Sequence, residues 1–211
     1  MEKSTDTIYA AKINHLTLDD CRQIHLYNLS REINIISKLK NVLILKFIGY
    51  SEYNFNGEKC PTIITEFSKN NSLGSIIDLQ SHGLTPPEWS PTKSLICAYG
   101  IAAGMSYMHS LDILHRDLKP ENVFLDEYLH PKIGDFGLSK EISDESVFEN
   151  DGYVGTPVFI SPEIFDSLTY SKAGDVYAYA ILLYELFTNE FPYHEIGVFQ
   201  LMVNVISGKR P

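Results

Sequence analysis

Cysteine is scarce in this 211-residue sequence, and acidic residues outnumber basic ones. The three cysteines, Cys21, Cys60 and Cys97, are odd in number and widely spaced. This spacing argues against a disulfide framework or a zinc cluster and favours reduced thiols in a cytoplasmic protein. With 17 basic and 27 acidic residues, the net charge is −10. Such acidity argues against nucleic acid or an anionic membrane as a partner, because both attract basic surfaces.

Long apolar runs are lacking as well. The most apolar one, residues 176–184, lies between Asp175 and Glu185 and is too short to span a bilayer, so we expect a buried helix there. The first twelve residues contain no apolar core of the kind that a signal peptide has. The length suits one domain or two small lobes, and the oligomeric state stays open.

The hydrophobic pattern predicts strands first and helices afterwards. Three strands are expected, over residues 7–13, 43–50 and 61–67. The polar residues 68–74 are expected to form a hinge, and beyond it Ser90, followed by Pro91, is expected to cap a helix. This order indicates an α+β protein with a small sheet lobe and a larger helical lobe.

Two helical faces can be read from the spacing. The first is predicted to carry Leu26, Leu29, Ile33, Ile36 and Leu39, and the second Leu95, Tyr99, Ala102, Ala103 and Ser106. Glu32 falls on the first face, where a carboxylate must find a partner or lose its charge. The alternative is that Glu32 lies at the edge of this face and reaches water.

Residues 115–122, HRDLKPEN, place six polar or charged side chains between the apolar segments LDIL and VFL. Either these side chains perform chemistry or they form an ionic cluster. The segment DFG begins thirteen residues after Asn122, and GTPVFISPE occupies residues 155–163. These three motifs, in this order, resemble the catalytic domain of eukaryotic protein kinases. The resemblance covers almost the whole chain.

The resemblance implies a bilobal α+β fold. Residues 1–67 would form an incomplete, β-rich N-terminal lobe, and residues 68–211 an incomplete, mainly helical C-terminal lobe. The implied function is transfer of the ATP γ-phosphate to protein serine or threonine hydroxyls. The alternative is a kinase-shaped binding or scaffold module that is catalytically impaired.

The resemblance also assigns roles near the transferred phosphate. Asp117 would accept the proton of the substrate hydroxyl, and Lys119 would lie near the phosphate. Asn122 and Asp135 would supply oxygen ligands for Mg²⁺. The alternatives are a carboxylate that satisfies loop amides for Asp117, a surface lysine for Lys119, and turn-capping residues for Asn122 and Asp135.

For the nucleotide, Lys12 of the segment YAAK would hold the α- and β-phosphates of ATP and pair with Glu32. Thr65 would stand at the back of the adenine pocket. The backbone groups of Glu66 and Ser68 would bond the edge of the adenine.

The remaining motif residues receive structural or regulatory roles. His115 and Phe136 would pack in the interior, with Gly137 completing the DFG motif, and Asp175 would accept backbone amides of the loop around Asp117. Arg116 would bind a phosphate on the activation segment, residues 138–156. Candidate phosphate acceptors there are Ser139, Ser143, Ser146, Tyr153 and Thr156; the carboxylates that could replace a phosphate are Glu141, Asp144, Glu145, Glu149 and Asp151.

The sequence departs from the kinase pattern in several places. No glycine-rich loop precedes Lys12, and the chain is expected to be truncated at both ends, so that Glu163 would lack its arginine partner. Ser161 replaces the usual alanine before Pro-Glu, and Tyr177 stands where many members have tryptophan. The segment DLKPEN and Thr156 favour serine or threonine as acceptor, and the surrounding sequence resembles the tyrosine-kinase-like branch of serine/threonine kinases.

Overall fold

The computed structural model describes residues 7–14, 23–142 and 152–211. Three strands and one helix come first and a mainly helical part with short strands follows, so the expected α+β class is confirmed. A three-stranded antiparallel sheet contains β1 (Tyr9–Ile13), β2 (Phe47–Ser51) and β3 (Thr62–Glu66) in the order β1-β3-β2. Within it Lys12 of β1 lies opposite Ile63 of β3.

The second strand begins later than the sequence pattern predicts. Residues 43–46 lie outside β2. Leu45 instead donates its backbone N–H to the Ile133 carbonyl, and Ile133 donates to the Leu43 carbonyl. The apolar run is therefore shared between the small sheet and the larger part of the molecule, and an uninterrupted apolar run does not reveal this division.

Helix α1 (Gln23–Lys38) turns a slightly different face inward from the one predicted. Among the side chains of α1 from residue 25 onwards, the buried ones are Glu32, Ile35 and Ile36, followed by Leu39 just beyond the helix, whereas Leu26 is exposed. These four positions follow the i, i+3, i+4, i+7 spacing of a helical face. Glu32 thus lies inside and not at the edge.

The larger part contains five helices among the described residues: α2 (Leu73–Ser81), α3 (Pro91–Ser110), α4 (Pro162–Ser167), α5 (Lys172–Thr188) and α6 (Val198–Ile206). As predicted, Ser90 caps α3: its side chain accepts the backbone N–H of Lys93, and Pro91 occupies the first turn. The buried residues of α5, among them Ile181, Leu182 and Leu186, join the main hydrophobic core. No helix in the described ranges is both long and apolar enough to cross a bilayer.

Helix α3 contacts the strand β6 (Pro131–Ile133) through two glycines. A Cβ atom on Gly100 would lie 2.5 Å from Cγ of Pro131, and one on Gly104 would lie 2.8 Å from Cδ1 of Ile133. The face of α3 predicted from Leu95 and its neighbours is mainly exposed, and the glycines lie on the buried side of the helix. The small residues that permit close approach carry no hydrophobic signal.

Two short ribbons complete the fold around the polar motifs. Strand β4 (Ile113–Leu114) pairs with β7 (Lys140–Glu141), and β5 (Val123–Leu125) pairs with β6. Residues 115–122 connect β4 to β5, and residues 134–139 connect β6 to β7. The two connections consequently lie side by side, each anchored at both ends by a short strand that is mostly buried.

Candidate active site

A cleft of about 370 Å³ lies between the three-stranded sheet and the helical part of the molecule. This volume is within the usual range for small-molecule sites. Its lining is mostly apolar, with a few polar groups at one end and along one edge. The lining includes Ala10, Lys12, Glu32, Ile36, Leu45, Ile63, Thr65, Glu66, Phe67, Ser68, Phe124, Asp135 and Phe136.

At the polar end, the ammonium group of Lys12 pairs with two carboxylates. Nζ lies 2.7 Å from Oε1 of Glu32 and 2.7 Å from Oδ1 of Asp135. Burial lowers the pKa of Lys12, but the charges of Glu32 and Asp135 outweigh it, so this pKa is raised overall. Burial raises the pKa of Asp135, yet the charge and hydrogen bond of Lys12 lower it overall. Lys12 and Asp135 are therefore both charged at neutral pH.

The carboxylate of Asp175, near the start of α5, binds the backbone of the loop of residues 115–122. Oδ2 of Asp175 accepts the backbone N–H of His115, and Oδ1 accepts that of Arg116, each at 2.9 Å. Nε2 of His109 lies 2.8 Å from Oδ2. Arg116 has φ of +64°, a left-handed conformation that is costly for a non-glycine residue, and the two bonds to Asp175 offset that cost.

His115 is fully buried and links the two connections between the ribbons. Its Nε2 contacts the Gly134 carbonyl at 3.1 Å, and its Nδ1 accepts the backbone N–H of Asp117 at 3.3 Å. A neutral ring with the proton on Nε2 satisfies both bonds. The ring also packs against Phe136, which is itself fully buried, with 5.7 Å between centroids.

The carboxylate of Asp117 receives donors on both oxygens. Oδ1 accepts the backbone N–H of Thr156 at 2.9 Å and its hydroxyl at 2.8 Å, while Oδ2 accepts Nδ2 of Asn122 at 3.0 Å. Lys119 donates to Oγ1 of Thr156 at 2.8 Å, and its Nζ lies 3.3 Å from Oδ2 of Asp117. The structure therefore joins Asp117, Lys119, Asn122 and Thr156 in one network.

Asn122 and Asp135 offer oxygen atoms suited to a hard cation. Within the part of the chain that the structure describes, both side-chain hydrogen bonds of Asn122 use Nδ2, which leaves Oδ1 available as a metal ligand. Asp135 is 43% exposed, lines the cleft and is charged at neutral pH. These groups fit a Mg²⁺ ion that is shared with phosphate oxygens. No group of three or more His, Cys, Asp or Glu residues within the described ranges could hold a metal ion alone.

Arg116 is buried, and its Nε donates to the Leu138 carbonyl at 2.7 Å. Its guanidinium carbon lies 4.9 Å from the centre of the Tyr170 ring. Ser139 is fully buried and donates its hydroxyl to the His115 carbonyl at 3.2 Å. A kinase could not reach that hydroxyl, so the hypothesis of Ser139 as a phosphate acceptor is corrected.

The other predicted activation-segment residues have different surroundings. Tyr153 is 60% exposed, and Glu141 pairs with Lys38 of α1 at 2.5 Å. The remaining candidates lie outside the described residues: Ser143, Ser146, Asp144, Glu145, Glu149 and Asp151.

Gly137 and Glu163 also have identifiable positions. The Gly137 carbonyl accepts Nη2 of Arg31 at 3.1 Å, so α1 contacts the DFG segment directly. Glu163 lies in the first turn of α4, where a negative charge is favourable.

Sequence reasoning overlooked the aromatic floor of the cleft. Phe124 of β5 lines the cleft, and its ring lies where a side chain at position 134 would be, with Cε2 2.8 Å from the Cβ that Gly134 lacks. Only the proximity of Phe124 to Asn122 in the sequence could have suggested it.

Comparisons with known proteins agree with this geometry. Residues 1–208 match the protein kinase domain. The RGS domain-containing serine/threonine-protein kinase A of Dictyostelium discoideum is 35% identical over 191 residues, which cover 90% of this chain. The serine/threonine-protein kinase VIK of Arabidopsis thaliana is 33% identical over 92% of the chain, and the dual specificity protein kinase shkB of Dictyostelium discoideum 30% over 85%. The chain spans 16%, 44% and 27% of the lengths of these three relatives.

Proposed function

Because the chain belongs to the protein kinase domain family, we propose that it transfers the γ-phosphate of ATP to serine and threonine hydroxyls of proteins. The contact of Lys119 and Asp117 with the Thr156 hydroxyl carries this proposal. A short serine or threonine acceptor can approach Asp117 beside this contact. A tyrosine phenol would need space that Lys119 and Thr156 fill.

In this proposal the cleft binds the nucleotide. Thr65 stands at the back of the adenine pocket, and backbone groups of Glu66 and Ser68 bond the adenine edge. Lys12, oriented by Glu32, binds the α- and β-phosphates. Mg²⁺, held by Asn122 and Asp135 together with phosphate oxygens, would neutralise charge on the phosphates.

Asp117 orients the acceptor hydroxyl and accepts its proton. The hydroxyl oxygen forms a bond to the γ-phosphorus, the bond from that phosphorus to the β,γ-bridging oxygen breaks, and ADP leaves with the electron pair. Lys119 offsets negative charge on the group in transfer. Asp175 holds the backbone of His115 and Arg116, so that Asp117 keeps its position.

Further parts of the proposal concern the organisation and surroundings of the chain. We assign residues 1–67 to the N-terminal lobe and 68–211 to the C-terminal lobe, since β3 ends at Glu66. The cytoplasm is the proposed compartment, in keeping with two free, buried cysteines, Cys60 and Cys97. A protein is the proposed partner and nucleic acid is not, given the net charge of −10. The tyrosine-kinase-like branch is proposed on sequence resemblance.

The test is a transfer assay with a peptide library and labelled ATP, followed by phosphoamino-acid analysis. We expect phosphoserine and phosphothreonine from the parent chain. Asp117→Asn should lower transfer by about 10²- to 10⁴-fold, the usual contribution of a general base, with MgATP binding unchanged by calorimetry. Predominant phosphotyrosine would contradict the proposed acceptor. MgATP binding without transfer would instead favour the kinase-shaped binding module.

A further inference from the structure

Tyr170 lies in the segment between α4 and α5, apart from the residues that carry the proposed transfer. It is 8% exposed and belongs to a second hydrophobic cluster with Ile160, Ile164 and Phe165. Its hydroxyl oxygen accepts the backbone N–H of Val154 at 2.9 Å, and the same hydroxyl donates to the Gly152 carbonyl at 2.8 Å. One side chain therefore holds the end of the activation segment through two backbone bonds.

The ring of Tyr170 at the same time contacts the loop of residues 115–122, which carries Asp117 and is called the catalytic loop below. The guanidinium carbon of Arg116 lies 4.9 Å from the ring centre, within the range of a cation–π interaction. Arg116 immediately precedes Asp117, and its backbone N–H is fixed by Asp175. The ring thus lies against a residue whose own position is already determined.

The segment held by Tyr170 leads directly to Asp117. Val154 is followed by Gly155, whose φ is +108° and on which a Cβ atom would lie only 2.8 Å from the Arg116 carbonyl oxygen. The next residue, Thr156, donates its backbone N–H and its hydroxyl to Oδ1 of Asp117. The activation segment and the catalytic loop are therefore in close contact just after the point that Tyr170 holds.

We propose that Tyr170 is a positioning residue, which fixes the activation segment against the catalytic loop so that Thr156 meets Asp117. The inference rests on the proposed function and deepens it. Tyr170 is not among the residues that line the nucleotide cleft, and its contacts with Val154 and Arg116 are the route by which it acts. A residue that only packs in the core would need the ring but not the hydroxyl.

Tyr170→Phe separates these two roles, because it retains the ring and removes both backbone bonds. Tyr179→Phe is the matched control: the Tyr179 hydroxyl also donates to a backbone carbonyl, that of Ala98 at 2.8 Å, and this bond joins α5 to α3 and not to the activation segment. The first measurement is hydrogen exchange at the Thr156 amide, read by NMR. This amide does not contact Tyr170, so its exchange reports on position. The second measurement is the steady-state kinetics of peptide phosphorylation.

We expect Tyr170→Phe to raise the exchange rate of the Thr156 amide about tenfold and to lower kcat about tenfold. Losing the two hydrogen bonds of the hydroxyl should change the equilibrium between the held and released segment by roughly one order of magnitude. The KM for MgATP should stay within about twofold, because the cleft is untouched. Tyr179→Phe should change neither quantity.

Equal Thr156 exchange in the two variants would overturn the positioning role. Unchanged kcat in an active Tyr170→Phe variant would overturn it as well. A parent chain that binds MgATP but transfers no phosphate would count against the proposed function alone, since the exchange measurement still decides the role of Tyr170.

Discussion

Glu185 lies on the buried face of α5 and is 7% exposed. Among the described residues no donor reaches its Oε2. Burial, together with the negative charge of Glu121, raises the pKa of Glu185 from 4.5 to about 7. Between these two values the folded protein binds a proton that the unfolded chain has already released.

The sign of the effect on stability follows from this difference in bound protons. Since the unfolded state binds fewer protons in this window, the free energy of unfolding falls as the pH rises from about 4.5 and levels off above about 7. At about 1.4 kcal/mol per pKa unit, roughly 2–3 kcal/mol of this loss falls between pH 5 and pH 8. Glutamine does not titrate, so Glu185→Gln should not show this loss. From pH 5 to pH 8 its free energy of unfolding should rise by that amount relative to the parent chain.

Urea unfolding at pH 5 and pH 8 measures this gain, with the fluorescence of the single, buried Trp89 as the signal. Glu127→Gln is the matched control, because it makes the same charge change at an exposed position. The control should follow the pH dependence of the parent chain. If Glu185→Gln also follows it, the carboxyl group of Glu185 is not protonated in the folded state and the reasoning is refuted.

Two further substitutions test the cleft. Gly134→Ala should weaken MgATP binding about tenfold in calorimetry, because the new methyl group would press the Phe124 ring into the cleft. In the control Gly49→Ala the new methyl group meets nothing within 4 Å, so MgATP binding should not change. If Gly134→Ala and Gly49→Ala bind MgATP with equal affinity, the Phe124 ring does not form the floor of the nucleotide site. Lys12→Met should lower the free energy of unfolding by about 1 kcal/mol, because the buried carboxylate of Glu32 loses its cation. The loss is no larger because Lys12 is half-exposed, so that water already weakens the ion pair. A value for Lys12→Met within error of the parent chain in urea unfolding would exclude a stabilising role for this pair.

Much of the site could be predicted because its residues belong to short, ordered motifs. The pairing of Lys12 with Glu32 and the bonds from His115 and Arg116 to Asp175 were expected and are present. The roles of these residues remain proposals. Motifs of this kind specify chemistry through residue type and spacing, so single-sequence reasoning can recognise them.

The buried faces were harder to predict. On α1, the periodic pattern admitted Leu26, which is exposed, and omitted Ile35, which is buried. A helix that is apolar on more than one side gives no unique face from spacing alone. The burial of Ser139 and the two contacts of Tyr170 depend on segments that meet only in three dimensions.

The glycine contact between α3 and β6 sets how closely those two elements can approach. Beyond Ile133, the chain continues through Gly134 to Asp135. A methyl group at position 100 or 104 would therefore push β6 away from α3, and this shift would reach the cleft through Gly134 and Asp135. At these two positions, the space between α3 and β6 is too small for one more carbon atom. Tolerance to substitution in this region is therefore governed by backbone spacing, at residues that have no functional group and lie outside the cleft.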